Sequence, residues 1–155
     1  MHSVRYLDDG HYFGVDADAK LLDAGRAELD AAGMADRRVS LRHTDAFDVD
    51  FGVAFDFVLA QSVFTHLSLN AIRLCLARVA PSLAPGGQFY ATFFRAPDDP
   101  FETVEREVAT TNYDRDPFHY PVEHLEWVPG GSGLMMTDLG DWSHPRGQEM
   151  LLFTR

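Results

Sequence analysis

Six consecutive residues, FDFVLA from Phe55 to Ala60, constrain this chain more than any other stretch. An almost unbroken apolar run of that length reads as a strand buried on both faces, the kind found in parallel sheets covered by helices. The flanking pattern agrees. HYFGVDAD ends an apolar run on an acid, a strand signal. AKLLDAGRAELDAAG then carries Leu22, Ala27 (or Arg26) and Leu29 at helical spacing, with Asp18 to cap its start and Gly33 its end. RVSLRHTDAF alternates through Val39, Leu41 and His43 as a second strand. SLNAIRLCLARVAPSL offers Ser68 as a cap and an apolar stripe of Leu69, Ile72, Leu76, Val79 and Leu83; APGG stops that helix, and QFYATFF is a further buried strand. A small helix or turn is expected in DAFDVDFGVA, between the second and third strands. This alternation predicts an α/β fold with a mostly parallel sheet.

Residues 96–120 change character, being acidic and rich in Pro and Asp, with one weak helix expected around Thr103 to Ala109. They read as an insertion over the mouth of a pocket, on the substrate side. PVEHLEWV is a short helix with Pro121 in its first turn, and PGGSG is a turn. LMMTDLG and EMLLFTR are strands joined by DWSHPRGQ, so an antiparallel hairpin should close the chain. No repeat, low-complexity tract or linker interrupts the 155 residues, which read as one domain.

The net charge of -11, with no basic run, argues against electrostatic capture of nucleic acid or an anionic membrane. A single cysteine, Cys75, excludes an internal disulfide and points to a reducing compartment. The start MHSVRYLDDG has no apolar signal core, and no run is long enough to span a bilayer, so the expected location is cytoplasmic.

A parallel sheet that ends in a hairpin, together with YFGVDAD, HTDAFDV, FDFVLAQSVFTHL, LAPGGQFYATFF and GDWSHPRGQEMLLF, resembles the class I S-adenosylmethionine-dependent methyltransferases, a Rossmann-like family. The resemblance runs over essentially the whole chain. It implies S-adenosylmethionine as cofactor and a small-molecule methyl acceptor as partner. By position it gives Asp16 the ribose hydroxyls, which a carboxylate at a strand end can accept together. The bland reading is that Asp16 caps the next helix. It places Ala17 at the adenine edge, and has Asp45 and the Ala46 N–H read the adenine, although an Asp often simply starts a turn. Ala60, Gln61 and Ser62 would meet the methionine part of the cofactor. Gln61 and Ser62 are polar groups directly after an apolar run, which packing alone does not explain.

The family's glycine-rich G-x-G-x-G turn, the strand before it and most of the following helix have no counterpart here; Met1 to Gly10 match that helix's last turn. In the family that first strand is central, between the strands ending at Asp16 and Ala60. Each backbone hydrogen bond left unmade in a dry interior costs roughly 1–3 kcal/mol, against a native stability of about 5–15 kcal/mol. Three outcomes are open: the two strands pair directly, another chain donates a strand (a strand-exchanged homodimer), or the sequence is an N-terminally truncated piece with a start assigned too late. The last is the expectation.

Direct displacement at a sulfonium methyl mainly demands alignment. A hydroxyl acceptor would gain from a base, for which His66, His119 and His124 are the available residues. His66 reads equally well as a helix-start histidine bonded to backbone. His119 and His124, five apart, do not share a helix face, and no metal site is expected. Cys75 sits in an amphipathic helix and reads as core, as do Met135 and Met136, while Glu123, Glu126 and the acids of 98–116 read as a solvated face. Two rivals stand beside this reading. A nicotinamide-dependent oxidoreductase would use the same strand-end acid, but the chain's only lysine is Lys20 and the hairpin disagrees. A non-catalytic methyltransferase-like binding module would explain the absent glycine loop.

Overall fold

Tyr12–Asp16 (β1) and Val39–His43 (β2) pair in parallel, from Tyr12 opposite Val39 to Asp16 opposite His43, with helix Ala19–Ala31 (α1) as their crossover. They make up the first of two units, Met1–Val49 and Asp50–Arg155, in a computed structural model that describes residues 2–107 and 109–155. The helix starts where its sequence says it should: the Asp18 carboxylate accepts the Lys20 N–H at 2.9 Å. It stops at Gly33, whose φ of +69° suits a residue without a Cβ. Its buried residues are Leu22, Gly25 and Leu29. The expected Ala27 or Arg26 is exposed instead. Arg26 flanks the stripe on the side where its guanidinium pairs with Asp23 at 3.2 Å, and so stays in water. Ahead of β1, a 3-10 turn spans His2–Tyr6, and Arg37 donates to the Val4 carbonyl at 3.1 Å and to that of Leu7.

The second unit is built on Phe55–Ala60 (β3), helix Leu69–Val79 (α2), strand Leu83–Arg95 (β4), two-residue strands Val104–Glu105 (β5), Thr110–Thr111 (β6) and His119–Tyr120 (β7), helix Val122–Leu125 (α3), and strands Met135–Asp141 (β8) and Glu149–Thr154 (β9). Its main sheet has the order β3-β4-β9-β8. β3 runs parallel to β4; β9 is antiparallel to both β4 and β8, so the closing hairpin is as expected. Ser68 caps α2 by accepting the Ala71 N–H. On one sheet face Phe89 and Phe153 are register partners, and Phe64 packs on both at 6.0 and 6.1 Å. Ile72, Leu76 and Leu151 complete a core without solvent exposure.

Four expectations fail here. β3 is not buried on both faces: Phe57 and Leu59 are 71% and 57% exposed. They lie on the sheet face opposite Phe89 and Phe153, and β3 is an edge strand, so this apolar run has one helical layer and one strand partner rather than two of each. α2 ends at Val79, not at Leu83, because Pro81 lacks the N–H to extend it and a 3-10 turn Ala80–Ser82 follows. The helix expected at 103–109 is the β5–β6 hairpin, favoured by its β-branched Thr103, Val104, Thr110 and Thr111 and closed by Arg106 N–H on the Ala109 carbonyl; Val108 lies outside the described residues. Met135 is not core filling but 67% exposed, on the same sheet face as Phe57 but at the opposite edge. The stretch 46–54 holds bends and no helix; Asp50 accepts the Gly52 N–H at 2.9 Å.

APGG lies inside β4, where its register against β3 shifts between Phe55 and Phe57. A Cβ on Gly87 would stand 2.7 Å from the Phe55 carbonyl oxygen and 2.9 Å from that of Ala84, both backbone atoms. Gly87→Ala is therefore expected to cost about 1–3 kcal/mol of stability, read as a lower urea midpoint with an unchanged slope. A midpoint equal to the parent's would show that this bulge tolerates a side chain.

Candidate functional site

Parallel strands present their carboxyl ends to ligands, and in the first unit two sequence-selected groups meet there. Asp16 closes β1, half-buried, with Oδ1 accepting the Asp18 N–H at 2.8 Å. It borders a groove of about 240 Å³ lined also by Tyr12, Gly14, Leu21 and Gly25. Asp18, not Asp16, caps α1, so the capping role weighed for Asp16 belongs to its neighbour. The next β strand is tied to the same place: Thr44 N–H donates to the Asp16 carbonyl at 2.9 Å, and His43 Nε2 lies 3.0 Å from the Ala17 carbonyl oxygen. Asp45 and Ala46 follow, both exposed. The Ala46 N–H already donates to Thr44 Oγ1 at 3.1 Å, a bond that any ligand at that N–H must displace.

In the second unit Ala60, Gln61 and Ser62 leave the end of β3. Ser62 is held at φ +55°, in the left-handed region that a side chain seldom adopts. A buried network fixes it there. Ser62 N–H donates to Thr92 Oγ1 at 2.8 Å; the Ser62 and Thr92 hydroxyls both donate to Gln148 Oε1, at 3.1 and 2.6 Å. Thr92 and Gln148 are 0% and 2% exposed. Gln61 reaches His144 at 3.3 Å, and Trp142 packs on the His144 ring at 5.1 Å. Sequence reasoning missed Thr92, Gln148 and His144. The signal was available, since Thr92 is a polar residue inside the apolar run FYATFF and Gln148 directly precedes LLF's strand. Gln148→Leu would strand the buried Thr92 hydroxyl, at roughly 1–3 kcal/mol, and release the half-buried Ser62 hydroxyl. Urea unfolding should show that loss, and an unchanged midpoint would mean that the hydroxyls find other partners.

The three histidines fall in different settings. His66 ends a 3-10 turn, Phe64–His66, with its ring 55% exposed and Nδ1 2.6 Å from the Asp116 carboxylate. His119 is fully buried with both ring nitrogens engaged, by the Thr111 hydroxyl at 2.8 Å and the Pro100 carbonyl at 3.0 Å, so neither faces solvent. His124 meets the Tyr113 hydroxyl at 3.1 Å. Cys75 is buried in α2, and burial pushes its thiol up to about 12, which suits core and not a nucleophile. Glu123 and Glu126 are exposed. Among the described residues no group of three or more His, Cys, Asp or Glu could hold a metal ion, and no helix is long and apolar enough to cross a membrane.

The family model of a methyltransferase domain matches residues 2–89, more than half of the chain. No curated protein matches by sequence. Among solved structures, a candidate O-methyltransferase from Nostoc punctiforme aligns with a TM-score of 0.67 at 20% identity, over 92% of this chain and 44% of that one. An S-adenosylmethionine-dependent methyltransferase from Clostridium acetobutylicum aligns at 0.69 with 14% identity, over 98% and 76%. An O-methyltransferase family 2 protein from Planctomyces limnophilus, solved with apigenin, aligns at 0.66 with 17% identity, over 92% and 42%. The chain thus spans less than half of the Nostoc and Planctomyces proteins. At these identities the likeness is one of fold.

Proposed function

The chain belongs to the methyltransferase-domain family, and on that premise we propose that it supplies most of the cofactor side, and the acceptor side, of an enzyme moving a methyl group from S-adenosylmethionine to a small-molecule nucleophile. The observation that carries this reading is the β1–α1–β2 unit with a half-buried acid closing its first strand, inside the matched region. The acid fits a ribose: one oxygen is fixed by the Asp18 N–H, which aims the carboxylate, and the other is left to accept a hydroxyl. Asp45 and Ala46 would hold the adenine, with Ala17 beside it, and Ala60 to Ser62 the methionine portion. The buried network under Ser62 is what such a contact needs, since it fixes backbone groups in advance of binding.

When bound, the cofactor supplies an electrophilic sulfonium methyl. The chain's own contribution is to bind, align and hold a proton. The Clostridium relative's description as S-adenosylmethionine-dependent supports this cofactor, and the Planctomyces relative's apigenin supports an acceptor of small-molecule type. Titrating S-adenosylhomocysteine into the 155-residue chain by calorimetry tests the reading. Micromolar binding is expected. A folded chain that takes up no heat would overturn it and favour the non-catalytic binding module.

A further inference from the structure

Where β8 gives way to β9, the loop 141–147 is tightly built. Asp141 Oδ1 accepts the Ser143 N–H at 2.8 Å, and the His144 carbonyl accepts the Gly147 N–H at 2.9 Å. Ser143 and Gly147 take φ of +63° and +64°. The loop buries His144 to 9% exposure, with Trp142 packed on its ring. One contact fixes the ring's proton. The Arg146 N–H donates to His144 Nδ1 at 3.2 Å. A backbone N–H can only donate, so Nδ1 holds a lone pair. The ring is then neutral, with its one proton on Nε2. Turning the ring over would set a C–H against the Arg146 N–H and lose that bond.

Nε2 faces the Gln61 amide. The amide nitrogen of Gln61 stands 3.3 Å from it, which sets two donors against each other. The two ends of an amide differ little in shape, so donor and acceptor count decides which of them meets the ring. A half-turn of the amide brings its oxygen onto the Nε2–H and points its NH2 the other way. Gln61 is exposed at the carboxyl end of β3, the end of an open α/β sheet where ligands lie. Ser62, next in the chain, is pinned by Thr92 and Gln148, so the turn that carries Gln61 is held in place.

We propose that His144 is a positioning residue: its Nε2–H holds the Gln61 carbonyl, so that Gln61 offers a ligand two N–H donors and no acceptor. The inference rests on the methyl-transfer reading, in which Ala60 to Ser62 meet the methionine portion of the cofactor. It adds the choice of atom. The Gln61 donors take a carboxylate oxygen of that portion, and its ammonium gains nothing from them.

Nuclear magnetic resonance of the 15N-histidine-labelled chain tests the positioning without any ligand. The His144 signals are those that vanish in His144→Gln. Nε2 should resonate as a protonated nitrogen and Nδ1 as an unprotonated one; a proton on Nδ1 overturns the positioning. Calorimetry tests the ligand contact, with S-adenosylhomocysteine and its decarboxylated analogue, which keeps the ammonium, as probes. Gln61→Leu should weaken S-adenosylhomocysteine binding about tenfold and leave the analogue's affinity as it is. His144→Leu frees the Gln61 side chain, whose ordering then costs about two- to tenfold in affinity for S-adenosylhomocysteine. His144→Gln, which returns an N–H to the place of Nε2–H, should recover most of that loss. Equal losses for both probes in Gln61→Leu, or none, overturn the carboxylate contact, and parent-like binding by His144→Leu overturns the positioning. If neither probe binds the parent chain, the methyl-transfer reading falls and the carboxylate contact with it, while the proton on His144 still decides the positioning.

Discussion

Phe153→Ala is expected to destabilise the Asp50–Arg155 unit by about 3–5 kcal/mol. Phe153 is fully buried on β9 and its ring touches both Phe64, at 6.1 Å, and Phe89, at 5.7 Å. Truncation removes the transfer energy of the ring and leaves a cavity between three aromatic residues from separate elements. Neither sheet nor helix can collapse into it, because β9 is hydrogen-bonded to β4 on one side and β8 on the other. The measurement is selective, since both tryptophans, Trp127 and Trp142, lie in this unit. Urea unfolding followed by tryptophan fluorescence should show a midpoint falling by a large part of its parent value, a domain's whole stability being about 5–15 kcal/mol. A loss below about 1 kcal/mol would mean that the core is not the Phe64–Phe89–Phe153 cluster.

The elements that sequence pattern located best are those whose pattern is local. Asp18 and Gly33 bracket α1, Ser68 starts α2, and the apolar run of β1, the alternation of β2 and the segments read as β8 and β9 fall where the strands are. What was misjudged depended on a layer that pattern cannot see. FDFVLA is apolar enough for a strand covered on both sides, yet whether both sides are covered depends on other elements, and Phe57 and Leu59 stand in solvent. Met135 failed for the same reason. The 103–109 hairpin was missed because its stabilisation is long-range: Arg106 lies 4.8 Å above the Phe94 ring and bonds to the Arg95 carbonyl.

The site divides along the same line. The place of Asp16 at the end of β1 was legible because an acid closing an apolar strand is a local signal. Asp116 beside His66, fifty residues apart, and Gln148 beneath Ser62, eighty-six apart, were not, because the first contact exists only once β7 lies along β4 and the second only once β9 does. A polar residue inside a buried strand, as Thr92 is, was the one clue to that network.

Asp16→Ala is expected to weaken S-adenosylhomocysteine binding at least tenfold, as the proposed cofactor contact. A hydrogen bond to a charged group is worth about 1.5–3 kcal/mol, and about 1.4 kcal/mol is tenfold in affinity. The substitution also removes the acceptor of the Asp18 N–H, so a loss could come through a loosened turn. Two further variants separate these causes. Asp16→Asn keeps an oxygen for the Asp18 N–H but gives up the charge that strengthens bonds to ribose hydroxyls, so it too should bind more weakly than the parent. Asp18→Ala removes the cap that accepts the Lys20 N–H, at about 1 kcal/mol of stability, and should leave affinity nearly unchanged. If Asp16→Ala and Asp16→Asn both bind like the parent, Asp16 only shapes the turn after β1 and the ribose assignment falls. If Asp18→Ala weakens binding as much as Asp16→Ala does, the helix start itself holds the ligand, and the carboxylate of Asp16 acts through it.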